Sequence, residues 1–176
     1  MRYDFRYADL LNDEVFKLVF GQESSKDVMI EFLNRVITDR NIVDLDFMDK
    51  EMHPIDRNRK SSVYDMFCHT DDGSRIVVEV QRRKQSTYAE RAIYYSTFQV
   101  SRQIEAGSGD YDFCPVYVIS ILDFDMDQNR GNQNVRTVYR LHEDETGALL
   151  TDRLTFIFLE LSAKKIMSSI IDSMPQ

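Results

Sequence analysis

The first periodic stretch of the chain is helical. Val15, Phe16, Val19 and Phe20 share one face, Asn12 stands where its side-chain oxygen can cap the helix start, and Gly21 interrupts the pattern. After Ser24-Ser25, residues Val28, Met29, Phe32, Leu33, Val36 and Ile37 form the apolar face of a second helix. Both are expected to cover a sheet. The pattern then becomes strand-like over 42–55, 61–69 and 75–81. The last two stretches flank Thr70-Asp71-Asp72-Gly73-Ser74, whose Asp-Gly pair marks a hairpin. Thr87 with Glu90 reads as a capping box opening a long helix through Tyr88, Ala92, Tyr95, Phe98 and Ile104, which Gly107 closes. Residues 114–122 make a continuous apolar run, the kind of strand buried on both faces of a mixed or parallel sheet. Two further strands are expected at 135–141 and 154–161, on either side of a polar turn. The order of elements predicts an α/β fold with a mixed sheet flanked by helices.

The chain has 176 residues, 43% of them apolar, enough for one domain spanning 1–176 with a substantial core. No stretch approaches the roughly 20 apolar residues that cross a bilayer, and the Met1-Arg2-Tyr3-Asp4-Phe5-Arg6 start lacks an apolar run of signal-peptide type. The expected location is therefore the cytoplasm, with no membrane partner. Cys68 and Cys114 each lie in an apolar segment and read as small reduced thiols. His53, His69 and His142 are scattered, without the spacing of a zinc site. Phosphate-binding glycine loops are absent, which removes the common nucleotide hydrolases. Asp123, Asp125 and Asp127 open like a calcium loop, but Gln128 and Asn134 stand where that loop needs glycine and glutamate.

A formal charge of -8 argues against a protein that coats nucleic acid. The charge is unevenly distributed, however. Arg57, Arg59, Lys60, Arg75, Arg82, Arg83, Lys84, Arg91 and Arg102 make the middle of the chain its basic part. That part brackets the hairpin, and the hairpin carries candidate chemistry. With the turn centred near Asp72, Asp65 faces Glu79 across an antiparallel pair, where opposed Cβ atoms lie about 4.5–5.5 Å apart. Period-two alternation adds Gln81, Val63, Phe67 and Val77 to the same face. Two carboxylates among apolar neighbours repel unless a cation lies between them. Oxygen ligands of this kind suit Mg²⁺ or Mn²⁺, which retain waters able to attack a phosphodiester. The competing reading puts both acids on a solvated face, each paired with its own Arg or Lys. A register slip of one residue would separate their faces altogether.

Asp65 in Ser61-Ser62-Val63-Tyr64-Asp65, followed by Ile76-Val77-Val78-Glu79-Val80-Gln81, resembles the recombination-promoting nuclease and transposase-like family of the PD-(D/E)xK superfamily. The resemblance extends to Asp13-Glu14-Val15-Phe16-Lys17-Leu18-Val19-Phe20-Gly21, Arg91-Ala92-Ile93-Tyr94-Tyr95-Ser96, Gly107 with Tyr111, and Phe158-Leu159-Glu160-Leu161. It implies a restriction-endonuclease-like fold and a Mg²⁺- or Mn²⁺-dependent DNA endonuclease, acting in recombination or mobile-element processes. In that reading Asp65, Glu79 and Gln81 are catalytic. Asp65, Glu79, the Val80 carbonyl and Asp13 are the metal ligands, although the helix dipole alone also favours an Asp at Asp13. Arg82, Arg83, Lys84, Arg91 and Lys17 are the expected DNA contacts. Tyr94 and Tyr95 are either substrate contacts or core. DNA and a second copy of the chain are the expected partners.

The sequence departs from the superfamily signature at Gln81, where a lysine would stand, and it stops where the resemblance implies a helical C-terminal region. A neutral amide can position a water but cannot offset charge. A catalytically weak binding module on the same fold is therefore the alternative, and a partner-controlled defence nuclease is a third reading.

Overall fold

A computed structural model describes residues 9–48, 51–52, 62–107, 109–163 and 165–166. Helix α1 (Asp13–Phe20) begins at Asn12, whose Oδ1 accepts from the backbone N–H groups of Glu14 and Val15 at 3.0 and 3.2 Å. Helix α2 (Lys26–Val36) follows; Phe16 and Phe20 of α1 and Met29, Leu33 and Val36 of α2 are buried as the predicted apolar faces require, whereas Val28 is exposed. The strands are β1 (Leu45–Phe47), β2 (Glu51–Met52), β3 (Ser62–Val63), β4 (Met66–Thr70) and β5 (Arg75–Gln81). Helix α3 (Tyr88–Ser101) precedes β6 (Val116–Leu122), β7 (Arg136–Tyr139) and β8 (Leu154–Glu160).

Six strands form one mixed sheet in the order β1-β4-β5-β6-β8-β7. The β1-β4-β5 meander is antiparallel, β5, β6 and β8 run parallel, and β7 returns antiparallel at the edge. Strand β6, in the middle of the parallel part, is buried along its whole length, as a continuous apolar run requires.

Alternation along β5 distributes its side chains between two helical layers. Ile76, Val78 and Val80 join Phe16 and Phe20 of α1 and Met29 and Leu33 of α2 on one face. On the other, Val77 and Phe67 pack with Tyr95 and Phe98 of α3. Glu79 has the parity of Val77 and so points toward α3.

The hairpin register is the one predicted. Met66 lies opposite Val78 and His69 opposite Arg75, around a turn in which Gly73 has φ +81° and a Cβ would meet the Cys114 thiol at 3.0 Å. Three expectations need correction. The 61–69 strand is not continuous: the ladder stops at Met66, and the chain bends at Asp65 because the buried Tyr64 ring turns into the α3 layer, where its hydroxyl donates to the Tyr95 carbonyl. The 42–55 stretch likewise yields two pieces, with β2 pairing β3 in a separate two-stranded sheet. Finally, Thr87 makes no side-chain cap, and α3 ends at Ser101, before Gly107. The Val63 side chain, expected on the Glu79 face, lies outside the described residues.

Cys68 is buried, with its thiol pushed up to about 12 by desolvation, and both cysteines are free. Among the described residues no helix is long and apolar enough to cross a membrane.

Candidate functional site

The bend at Asp65 replaces the last rung of the β4–β5 ladder with side-chain bonds. The Asp65 N–H donates to Glu79 Oε1 at 3.2 Å, while Asp65 Oδ2 accepts from the Val80 N–H at 2.8 Å. Glu79 is thus bonded to the Asp65 backbone, and the Asp65 carboxylate to the backbone of Val80, the residue after Glu79, at the end of β5. Glu79 is 2% exposed. Burial, and then the negative charge of Asp65, push its carboxyl up to about 8, which the neighbouring cations only partly oppose.

Two basic side chains reach this pair from opposite sides of the sheet. From α1, Lys17 Nζ lies 3.0 Å from Asp65 Oδ1 and 3.3 Å from Asp13 Oδ2. Burial works against its ammonium, but the hydrogen bonds and charges of Asp65 and Asp13 outweigh burial and raise its pKa. From α3, Arg91 Nη2 lies 2.8 Å from Glu79 Oε2. Its Nη1 donates to Gln81 Oε1 at 3.2 Å and its Nε to the Tyr95 hydroxyl at 2.7 Å, with the guanidinium over the Tyr88 and Tyr95 rings. Arg91, a sequence candidate for DNA contact, is thus held by Glu79, Gln81 and Tyr95 and also lines the open cleft beside them. Tyr95 is buried as core, and Tyr94 packs edge-on against Phe98.

An open cleft of about 320 Å³ lies beside the pair, lined by Leu11, Asn12, Asp13, Asp65, Val80, Gln81, Arg82, Arg83 and Arg91. Asp13 thus borders the same space as Asp65, and Lys17 joins them. Gln81 is engaged at both ends of its amide, since its Nε2 also donates to the Arg83 carbonyl at 2.9 Å. Arg82 pairs with Asp9 and Lys84 with Asp127, at 2.9 and 2.8 Å, whereas Arg83 is exposed on the rim. Among the described residues no three His, Cys, Asp or Glu side chains gather as a metal cluster. The donors on hand are two carboxylates, an amide and backbone carbonyls. This set is all oxygen, the donor type of a hard divalent cation, although Lys17 and Arg91 already stand against its two acids.

The competing sequence reading pairs each acid with an Arg or Lys, but it does not name Lys17 and Arg91 as the partners. The Asp13–Lys17 spacing announces only a helix-surface pair, and nothing local connects Lys17 to Asp65 or Arg91 to Glu79. Sequence reasoning missed the buried Glu160–Lys165 pair at 2.8 Å, in which Glu160 accepts from the Met126 N–H and ties the 123–134 loop to the end of β8. A lone Glu closing an apolar strand was the available signal.

Comparison with curated proteins returns no match. The family model for PD-(D/E)XK nuclease family transposases, however, matches residues 10–172. That span takes in the acid pair, both helices that approach it and the whole mixed sheet, and the chain belongs to the PD-(D/E)XK nuclease family of transposases.

Proposed function

We propose that this chain is a metal-dependent DNA endonuclease, one domain over 1–176, that hydrolyses phosphodiester bonds in recombination or mobile-element processes in the cytoplasm. The observation that carries this reading is the pair of bonds from Asp65 N–H to Glu79 and from Val80 N–H to Asp65, which holds the buried Glu79 carboxyl next to an Asp65 carboxylate that lines the cleft. Asp65 and Glu79 would hold Mg²⁺ or Mn²⁺, with the Val80 carbonyl and Asp13 as further ligands from the cleft wall. Bound there, the cation would polarise the phosphodiester and offset its charge. Gln81, held between Arg91 and the Arg83 carbonyl, borders the same space and would orient the attacking water. Arg91 keeps the Glu79 carboxylate aimed. Arg82, Arg83 and Lys84 would contact backbone phosphates along the rim.

Purified protein should nick or cut DNA when Mg²⁺ or Mn²⁺ is added. Asp65→Ala and Glu79→Ala should each lower the rate at least about 100-fold while the variant still melts cooperatively. Cutting that persists in both variants would remove the assignment.

One observation favours a second reading, a catalytically weak DNA-binding or protein-interaction module: each acid is clasped by its own cation, and Gln81 replaces the signature lysine. The divalent ion separates the two. A nuclease should be thermally stabilised by Mn²⁺ through Asp65 and Glu79, whereas a module should retain DNA with no divalent requirement and no cleavage.

A further inference from the structure

In the superfamily signature a lysine stands two residues after the motif glutamate, at the end of the catalytic strand. Here that position is Gln81, whose amide is held at both ends and carries no charge. The cleft is nevertheless supplied with a cation. Phe16 and Phe20 are buried in the core and stack on each other with ring centroids 4.7 Å apart, which fixes α1 against the sheet. The residue between them that looks toward the strand ends is Lys17, with its ammonium 3.0 Å from Asp65 Oδ1 and its side chain 30% exposed. Partly exposed and bonded to Asp65 and Asp13, which both line the cleft, its ammonium stands next to that space.

The other cations are engaged differently. Arg91 is committed to Glu79, Gln81 and Tyr95 and lies over two tyrosine rings. Arg82 and Lys84 are paired with Asp9 and Asp127. Arg83 is exposed and lines the cleft, one residue beyond Arg82, with its carbonyl bonded to Gln81.

We propose that Lys17 of α1 is a catalytic residue that takes the place of the signature lysine, its ammonium donating to the scissile phosphate beside Asp65. The inference rests on the nuclease reading above. In the hydrolysis, the water oxygen bonds to phosphorus as the bond from phosphorus to the leaving deoxyribose oxygen breaks. One water proton is released, and the leaving oxygen takes one up. Lys17 remains an ammonium throughout and only donates hydrogen bonds to the oxygens on which charge accumulates.

The test compares wild type, Asp65→Ala, Lys17→Ala, Lys17→Gln and the double variant Lys17→Ala with Gln81→Lys. Cleavage of supercoiled DNA and thermal melting are measured with and without Mn²⁺. Lys17→Ala and Lys17→Gln should each cut about 100-fold more slowly. Both should keep the full Mn²⁺-induced rise in Tm, because removing the ammonium leaves the Asp65 carboxylate free for the ion. Returning a lysine to the strand through Gln81→Lys should recover at least about tenfold of the lost rate. The Lys17 assignment is overturned if wild type cuts, Asp65→Ala does not, and both Lys17 variants cut at the wild-type rate. It is equally overturned if the Lys17 variants lose the Mn²⁺ response along with cutting, or if Gln81→Lys recovers nothing. A wild type that does not cut, or an Asp65→Ala variant that does, instead removes the nuclease reading and the inference with it.

Discussion

Glu79 is the residue whose chemistry is most altered by its place in the fold. Free in an unfolded chain its carboxyl titrates near 4.5, but in the folded protein burial and the adjacent Asp65 raise it to about 8. Between those two values the folded state holds a proton that the unfolded state has released. Stability must therefore fall as pH rises through that window, by up to about 1.4 kcal/mol per pH unit from this group, and level off above it. In EDTA, melting temperatures should decline between pH 5 and 8. Glu79→Gln, which cannot ionise, should flatten the profile and melt higher than wild type at pH 8. A wild-type curve that rises over this range would contradict the assignment of a raised pKa. The same residue explains why a cation suits the site: any positive charge that reaches Glu79 favours its ionised form. Arg91, which stands 2.8 Å away, supplies only part of that charge.

At the scale of elements, α1 carries more than its eight residues suggest. It brings Asp13 and Lys17 to the cleft, and its orientation depends on the Asn12 cap at one end and on the Phe16 and Phe20 anchors along its buried face. Asn12→Ala should destabilise the protein by about 1 kcal/mol in urea titration, with no change in slope. The hairpin shows how far local chemistry reaches. The Asp-Gly turn and the alternation of β5 are enough to place Met66 opposite Val78 and to turn Glu79 and Val77 to one face. The bend at Asp65 was not legible, because it follows from a non-local event. Tyr64 is drawn into the α3 layer, and the Asp65 carboxylate takes over the backbone bond that the ladder would have made to Val80. In α3, the Thr87–Glu90 spacing resembled a capping box, yet Thr87 makes no cap. Packing of Tyr88 and Ala92 on β6 holds the helix instead.

For the whole molecule, the net charge of -8 conceals a local arrangement. Of the three exposed basic residues after β5, Arg82 and Lys84 form ion pairs with Asp9 and Asp127, and Arg83 lines the cleft. DNA retention without divalent ion should therefore be weak, with a shallow dependence on salt. Arg83→Ala should reduce the slope of log K against log salt by about 1, as measured by fluorescence anisotropy in a NaCl series. An unchanged slope would place the phosphate contacts elsewhere. What the sequence by itself determined is the main helices, the longer strands, the hairpin register and the nearness of Asp65 to Glu79, because periodicity, turn residues and strand alternation act over a few residues at a time. What only the tertiary structure decided is which cation meets which acid. Lys17 reaches Asp65 across 48 residues of chain, and Arg91 reaches Glu79 from the opposite layer. Both meetings depend on how aromatic anchors seat α1 and α3 on the two faces of one sheet, and that is settled only when the core closes.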